Sequence, residues 1–332
     1  MAKDSTELQQ PVWTLNPQGD TRRVGVELEM NGVTIDELAQ IAADFLDADI
    51  EVVSRYERAL QGDPAGEWLV ELDSRLIKKL GREQRTKGTL AGDLGDSAEE
   101  ALSWLAEGLV PLELVSPPLP LDRLDEVERL IKLLHKTGVK GTSDSLLNAF
   151  GMQFNPEIPS TDPTILTAYL KAFLCLYEWL YERADIDVSR QVTNYIDPFG
   201  KDYARKVVDP DYWPDTESLI EDYLTFNPTR NRALDCLPLF LHLDKERVRA
   251  VTQDPLIKPR PAFHYRLPDC EIHLPNWGLH KPWNYWIQVE KLAADSDRLK
   301  ACCTAYCKFL DSPLERWFGD WEKEIKTQWL DL

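Results

Sequence analysis

Glu27 and Glu29 stand one pleat apart in VGVELEM, residues 24–30, next to Gly25. Val24, Val26, Leu28 and Met30 alternate with them, so a strand here would put the carboxylates and the glycine on one face. The same pairing of polar residues recurs along the chain. Glu71 and Asp73 share a side of EWLVELDS, 67–74, and Glu113 lies in LVPLELVSPPL, 109–119. Gln153 and Asn155 share a side of GMQFNPE, 151–157, and His264 and Arg266 share a side of RPAFHYRLPDCEIHL, 260–274. Any one of these strands reads readily as the solvated face of an antiparallel sheet. Together they are almost wholly acids and amides, where a solvated face would mix in lysine, serine and threonine. Carboxylates about 4 Å apart repel by roughly 4 kcal/mol at an effective dielectric near 20, so grouping them calls for cations. Oxygen donors without thiolates suit Mg²⁺ or Mn²⁺, which keep positions for water and phosphate oxygens. The chemistry indicated is that of a nucleotide on an open sheet face, and no glycine-rich phosphate loop is written in the chain.

The elements that must carry these residues are short strands separated by helices. Thr34 and Glu37 are spaced as a capping box ahead of a helix with Leu38, Ile41, Ala42 and Phe45 on one face. Residues 122–137 have the period of an amphipathic helix ending near Gly138. Asp162 and Pro163 open a long apolar helix, and a shorter one is expected near 216–224. The last fifty or so residues, from about 281, read as helices rich in tryptophan. The charged, glycine-spotted run 78–98 reads as a loop. The expected fold class is α+β with a mostly antiparallel sheet. Residues 1–20 read as a flexible arm, and 21–332 as one domain.

The chain has 332 residues and a formal net charge of −19, which argues against a general surface for nucleic acid or anionic membrane. No run of about 18 apolar residues is present, and the first ten residues lack the apolar segment of a signal peptide. A cytoplasmic protein is expected. The six cysteines fall in no disulfide or zinc spacing and read as buried reduced thiols.

An ordered series of segments carries a further signal: GVELE at 25–29, WLVELDS at 68–74, LELVSPPL at 112–119, GMQFN at 151–155, NPTRNRALDCLPLF at 227–240 and FHYRL at 263–267. The chain resembles the amidoligase family, relatives of glutamate–cysteine ligase and glutamine synthetase. The resemblance implies a glutamine-synthetase-like fold, a bent antiparallel sheet backed by helices. It implies ATP-dependent joining of a carboxylate to an amine with Mg²⁺, or Mn²⁺, through an acyl phosphate. By resemblance Glu27, Glu29 and Glu113 would hold metal. Asp73 would face the metals or the substrate, and Asp73 or Glu71 could accept the amine proton. Arg266 would contact phosphate, with Arg230 or Arg232 of TRNR offering further planar donors. The sequence departs from the family at two positions. Gln153 stands where a histidine is usual, and His264 stands where a metal-binding glutamate is usual. His264 is then an imidazole candidate for the metal and Gln153 a weak cation or nucleotide contact. Asn155 either orients a ligand or closes a turn before Pro156. The expected partners are small-molecule or peptide carboxylates and amines.

Three other readings fit parts of the sequence. One is a catalytically impaired family member that binds nucleotide or peptide. Another is a zinc site from His264, Cys270, His273 and His280, whose spacing matches no standard finger. The weakest is a phosphotransferase acting on a guanidino group, which the TRNRALD and SPPL segments do not favour.

Overall fold

The computed structural model describes residues 7–72, 110–144, 150–184, 197–312 and 320–331. Asp73 and the 78–98 run lie outside these residues. Nine strands form one sheet: β1 Arg23–Met30, β2 Asp49–Ser54, β3 Glu57–Gln61, β4 Trp68–Leu72, β5 Leu112–Val115, β6 Leu119–Pro120, β7 Met152–Pro156, β8 Leu234–Asp235 and β9 His264–Tyr265. Their order is β2-β3-β4-β5-β1-β7-β9-β8, with β6 also on β1, and all these pairings are antiparallel. The five segments singled out by their polar faces are therefore β4, β5, β1, β7 and β9, five consecutive neighbours.

The sheet has one apolar face. Val24, Val26, Leu28, Met30, Val70, Leu114, Met152 and Phe154 on it are all buried. Helix α3, Pro163–Ala184, and helix α8, His280–Ala294, pack behind. Phe154 meets Trp283 edge-on at 5.5 Å between ring centroids, and Tyr265 lies 5.2 Å from Trp286. The tryptophans near the C-terminal end thus fill the back of the sheet, where large rings bury the most apolar area. Helix α1, Ile35–Leu46, begins with the capping box read from Thr34 and Glu37. Helix α2, Leu124–Lys136, buries Leu124, Val127, Ile131 and Leu134 as its spacing requires. Smaller helices α4 Lys201–Val207, α5 Thr216–Phe226, α6 Leu237–Leu243 and α7 Lys245–Val251 surround β8 in the chain. Helices α9 Ser296–Asp311 and α10 Trp321–Glu324, with a π-helical turn at Ile325–Trp329, complete the described C-terminal part.

Three expectations need correction. Residues 1–20 read as a loose arm, but within their described part Glu7 and Gln9 are bonded to α8. Gln9 N–H donates to Asn284 Oδ1 at 2.9 Å, and Trp283 Nε1 donates to Gln9 O at 2.8 Å. Arg22 follows, with a bidentate bond to the buried Glu290 at 2.7 and 2.9 Å. Next, the expected strand over 260–274 is only two residues long. Pro259, Pro261 and Pro268 interrupt the ladder because proline has no N–H to give, and isolated bridges Glu157↔Ala262 and Gly151↔Asp269 flank it. Finally, the β2–β3 hairpin has no counterpart in the sequence reading. All six residues of β2 are exposed, so no buried alternation marks it. The six cysteines are buried and free, as expected.

Candidate functional site

The polar face of the sheet carries buried charged groups. In an antiparallel ladder, residues in register point to the same side. Glu71 of β4 pairs with Glu113 of β5, and Glu113 pairs with Glu29 of β1. Glu27, two residues back, pairs with Val115 on one side and Gln153 on the other. Gly25 pairs with Asn155, and Asp235 of β8 pairs with His264 of β9. Glu27, Glu29 and Glu113 are 8%, 7% and 4% exposed, so the solvated-face reading fails for them. Glu71 is half-buried.

Gly25 has a specific purpose. A Cβ there would lie 3.3 Å from Asn155 Cβ and 3.4 Å from its Nδ2. The missing side chain makes room for the Asn155 amide, which donates to Glu27 Oε1 at 2.7 Å. Asn155 thus orients Glu27 from within the ladder.

Glu29 is held from the β7 side. The Gly151 N–H donates to its Oε2 at 2.7 Å, and Gln153 Nε2 donates to its Oε1 at 3.0 Å. A carboxylate only accepts, so the amide of Gln153 must turn its NH₂ to Glu29 and its oxygen away. That oxygen is 2.7 Å from His264 Nε2, which must then carry the hydrogen. In this pattern His264 Nε2 is a donor and Gln153 Oε1 its acceptor, so Nδ1 is the ring atom through which the imidazole could take a metal. On the far side of the ring, Nδ1 lies 3.7 Å from Asp235 Oδ2.

Asp235 is the functional-looking residue that the sequence reading passed over, although it sits inside TRNRALD. It is fully buried. Burial pushes its carboxyl up to about 6, against the Leu237 N–H and the positive charges of Arg266, Arg230 and Arg260, which pull it down. Arg266 is 5% exposed and donates through Nη1 to the Arg230 carbonyl. Arg230 lies 4.0 Å from Asp254 Oδ2. Arg260, also unremarked in the sequence, approaches Glu27 Oε1 at 3.8 Å. The signal for both was an ionisable residue in an apolar or proline-bounded setting, in ALDCL and PRPAF. Arg232 is engaged elsewhere: Nε donates to Asn227 Oδ1 at 2.9 Å and Nη1 to the Pro198 carbonyl at 2.7 Å.

The zinc alternative does not assemble. His280 Nδ1 is 3.2 Å from Glu128 Oε1, His273 lies beside Glu271, and His264 is bonded to Gln153. Among the described residues, no three His, Cys, Asp or Glu side chains already converge as a metal site. No helix among them is long and apolar enough to cross a membrane.

Fold and site together define an α+β protein with an antiparallel sheet whose polar face gathers carboxylates from β1, β4 and β5, with arginines at one end. The family model described as "putative amidoligase enzyme" matches residues 20–288, and the chain belongs to that family. No match was found among curated proteins or among solved structures.

Proposed function

We propose that this chain is an ATP-dependent carboxylate–amine ligase built on a glutamine-synthetase-like sheet. The observation that carries the reading is the in-register row Glu71–Glu113–Glu29, buried at Glu113 and Glu29, with buried Glu27 beside it, in a chain of the amidoligase family. Oxygen donors on neighbouring strands suit Mg²⁺ or Mn²⁺ in chemistry, with Glu29, Glu113 and Glu27 as the residues that would hold them. Side-chain turns would be needed to bring the oxygens to one ion. His264 could add its Nδ1 to that set, with Nε2 donating to Gln153. A bound divalent ion would offset negative charge on the phosphoryl oxygens.

In this reading the γ-phosphoryl of ATP passes to a substrate carboxylate, giving an acyl phosphate and ADP. The amine then attacks the acyl carbon, loses a proton and releases phosphate, leaving an amide. The protein's part is orientation and electrostatics. Gly151 and Gln153 hold Glu29, Asn155 holds Glu27, and Arg266 and Arg230 supply donors toward phosphoryl oxygens. Glu71, at the end of the row, is a candidate acceptor for the amine proton; Asp73, the other candidate, lies outside the described residues.

The test is phosphate release from ATP with Mg²⁺ or Mn²⁺ and a panel of amino acids and peptides. Substrate-dependent release, lost in Glu113→Gln and Glu27→Gln, supports the ligase. Nucleotide binding without release across the panel would instead favour a non-catalytic binding module.

A further inference from the structure

Beside Glu27 lie two polar groups of opposite kind that lack full partners among the described residues. Asn155 spends its NH₂ on Glu27 Oε1, while its Oδ1 is buried and has no hydrogen-bond donor among the described residues. Arg260 comes to the same oxygen from the other side, its Nη1 at 3.8 Å, beyond hydrogen-bond length. Its Nε is buried without an acceptor among the described residues, while the side chain as a whole is 34% exposed. A guanidinium has five N–H donors in a planar fork that matches a carboxylate. A buried polar atom without a partner costs about 1–3 kcal/mol, which a ligand group can recover on binding.

Arg260 is also held in place. Pro259 and Pro261 flank it and restrict the backbone, and its N–H donates to the Pro238 carbonyl at 3.1 Å. Little of the ordering cost then falls on the backbone when the fork engages an anion.

We infer that Arg260 and Asn155 form the binding site for a free α-amino acid, which serves as the amine substrate. The carboxylate of the amino acid lies on the Arg260 fork. Its amino group donates to Asn155 Oδ1, beside the negative charge of Glu27. The acceptor and the cation both belong to one carboxylate's surroundings, so the ligand must carry its amine and its anion close together. A free α-amino acid does so. A lysine side chain in a protein does not, and neither does the amino terminus of a peptide, whose carboxylate is distant.

The assignment of this ligand as the amine substrate rests on the ligase reading; its binding does not. The test is therefore a binding measurement on the full chain. Saturation-transfer NMR would screen the twenty L-α-amino acids, each against its C-terminal amide, with and without ATP and Mg²⁺. At least one free amino acid should bind about tenfold or more tightly than its amide, because the amide cannot form a charge-assisted pair with Arg260. Arg260→Gln should erase that preference and Arg260→Lys should keep part of it. Circular dichroism should show both variants folded, with Arg260→Gln melting somewhat below the unligated parent because buried Glu27 loses a neighbouring cation. Equal binding of acid and amide, or an unchanged preference in Arg260→Gln, overturns the inference. So does an Arg260→Gln variant that loses binding of inorganic phosphate while amino-acid binding is untouched. Absence of ATP turnover alongside Arg260-dependent binding would sink the ligase reading and leave this site standing.

Discussion

Gly25 gives the sharpest mechanical test of the polar face. A methyl at this position would sit 3.3 Å from Asn155 Cβ, a few tenths inside ordinary contact, so Asn155 must shift slightly. Alanine also removes unfolded-state freedom, worth about 0.4–1 kcal/mol in favour of the fold. The two effects nearly cancel, and Gly25→Ala should change stability by no more than about 1 kcal/mol. Valine is different. Its extra methyls extend from a Cβ already 3.4 Å from Asn155 Nδ2, so the amide must leave Glu27, breaking a 2.7 Å bond to a carboxylate. A charged hydrogen bond is worth about 1.5–3 kcal/mol and overpacking adds about 1–3 kcal/mol. Gly25→Val should therefore cost about 3–5 kcal/mol in urea unfolding. The decisive measurement is a double-mutant cycle. In an Asn155→Ala background the amide is absent and the Glu27 bond is already gone, leaving only the Cβ of residue 155 against the valine, so its cost should shrink by about 1–3 kcal/mol. If the two substitutions add without coupling, Gly25 is not there to admit Asn155, and the account of how Glu27 is oriented fails.

Asp63 accepts both ends of the Arg123 fork, at 2.7 and 2.9 Å, with Ala65 N–H and Trp68 Nε1 as further donors. The Arg123 hydrogen bonds come first among the causes that hold its carboxyl at about 2, below the ordinary 3.8, a shift of roughly 2.5 kcal/mol. That stability is present above pH 3.8 and is lost as pH falls through about 2, so Asp63→Asn should flatten the loss between about pH 4 and 2 in acid titrations followed by circular dichroism. Glu290 is fully buried and takes Arg22, Tyr169 OH at 2.9 Å and Trp286 Nε1 at 2.8 Å. Glu290→Gln leaves a buried guanidinium without its counter-charge and should cost about 3–5 kcal/mol in urea unfolding, with an unchanged urea midpoint counting against a structural role for the pair. Gln153→Leu removes both the donor to Glu29 and the acceptor for His264, so the imidazole ¹⁵N shifts of His264 should change; unaltered shifts would mean that its tautomer is set elsewhere.

Much of the polar face was legible along the chain because a strand has a period of two. The alternation in VGVELEM, WLVEL, LELV and MQFN placed Glu27, Glu29, Glu71, Glu113, Gln153 and Asn155 opposite the apolar residues. The ladder shows those faces to be continuous. Helices α1 and α2 were legible for the matching reason, a capping box and a stripe of period 3.6. The β2–β3 hairpin was not, because an exposed edge strand carries no buried alternation.

What the chain's order of residues determined by itself is therefore local: which side chains share a face, where helices begin, and which family the segments resemble. Which strands are neighbours is a matter of tertiary pairing. Only the fold set Glu29 against Glu113, turned the Gln153 oxygen toward His264, and buried Asp235 behind that ring. Only the fold brought Arg260 to Glu27 from a residue more than two hundred positions away. The physical reason is that alternation depends on neighbours in the chain, whereas register, burial and the direction of a hydrogen bond depend on groups that meet only when distant segments pack.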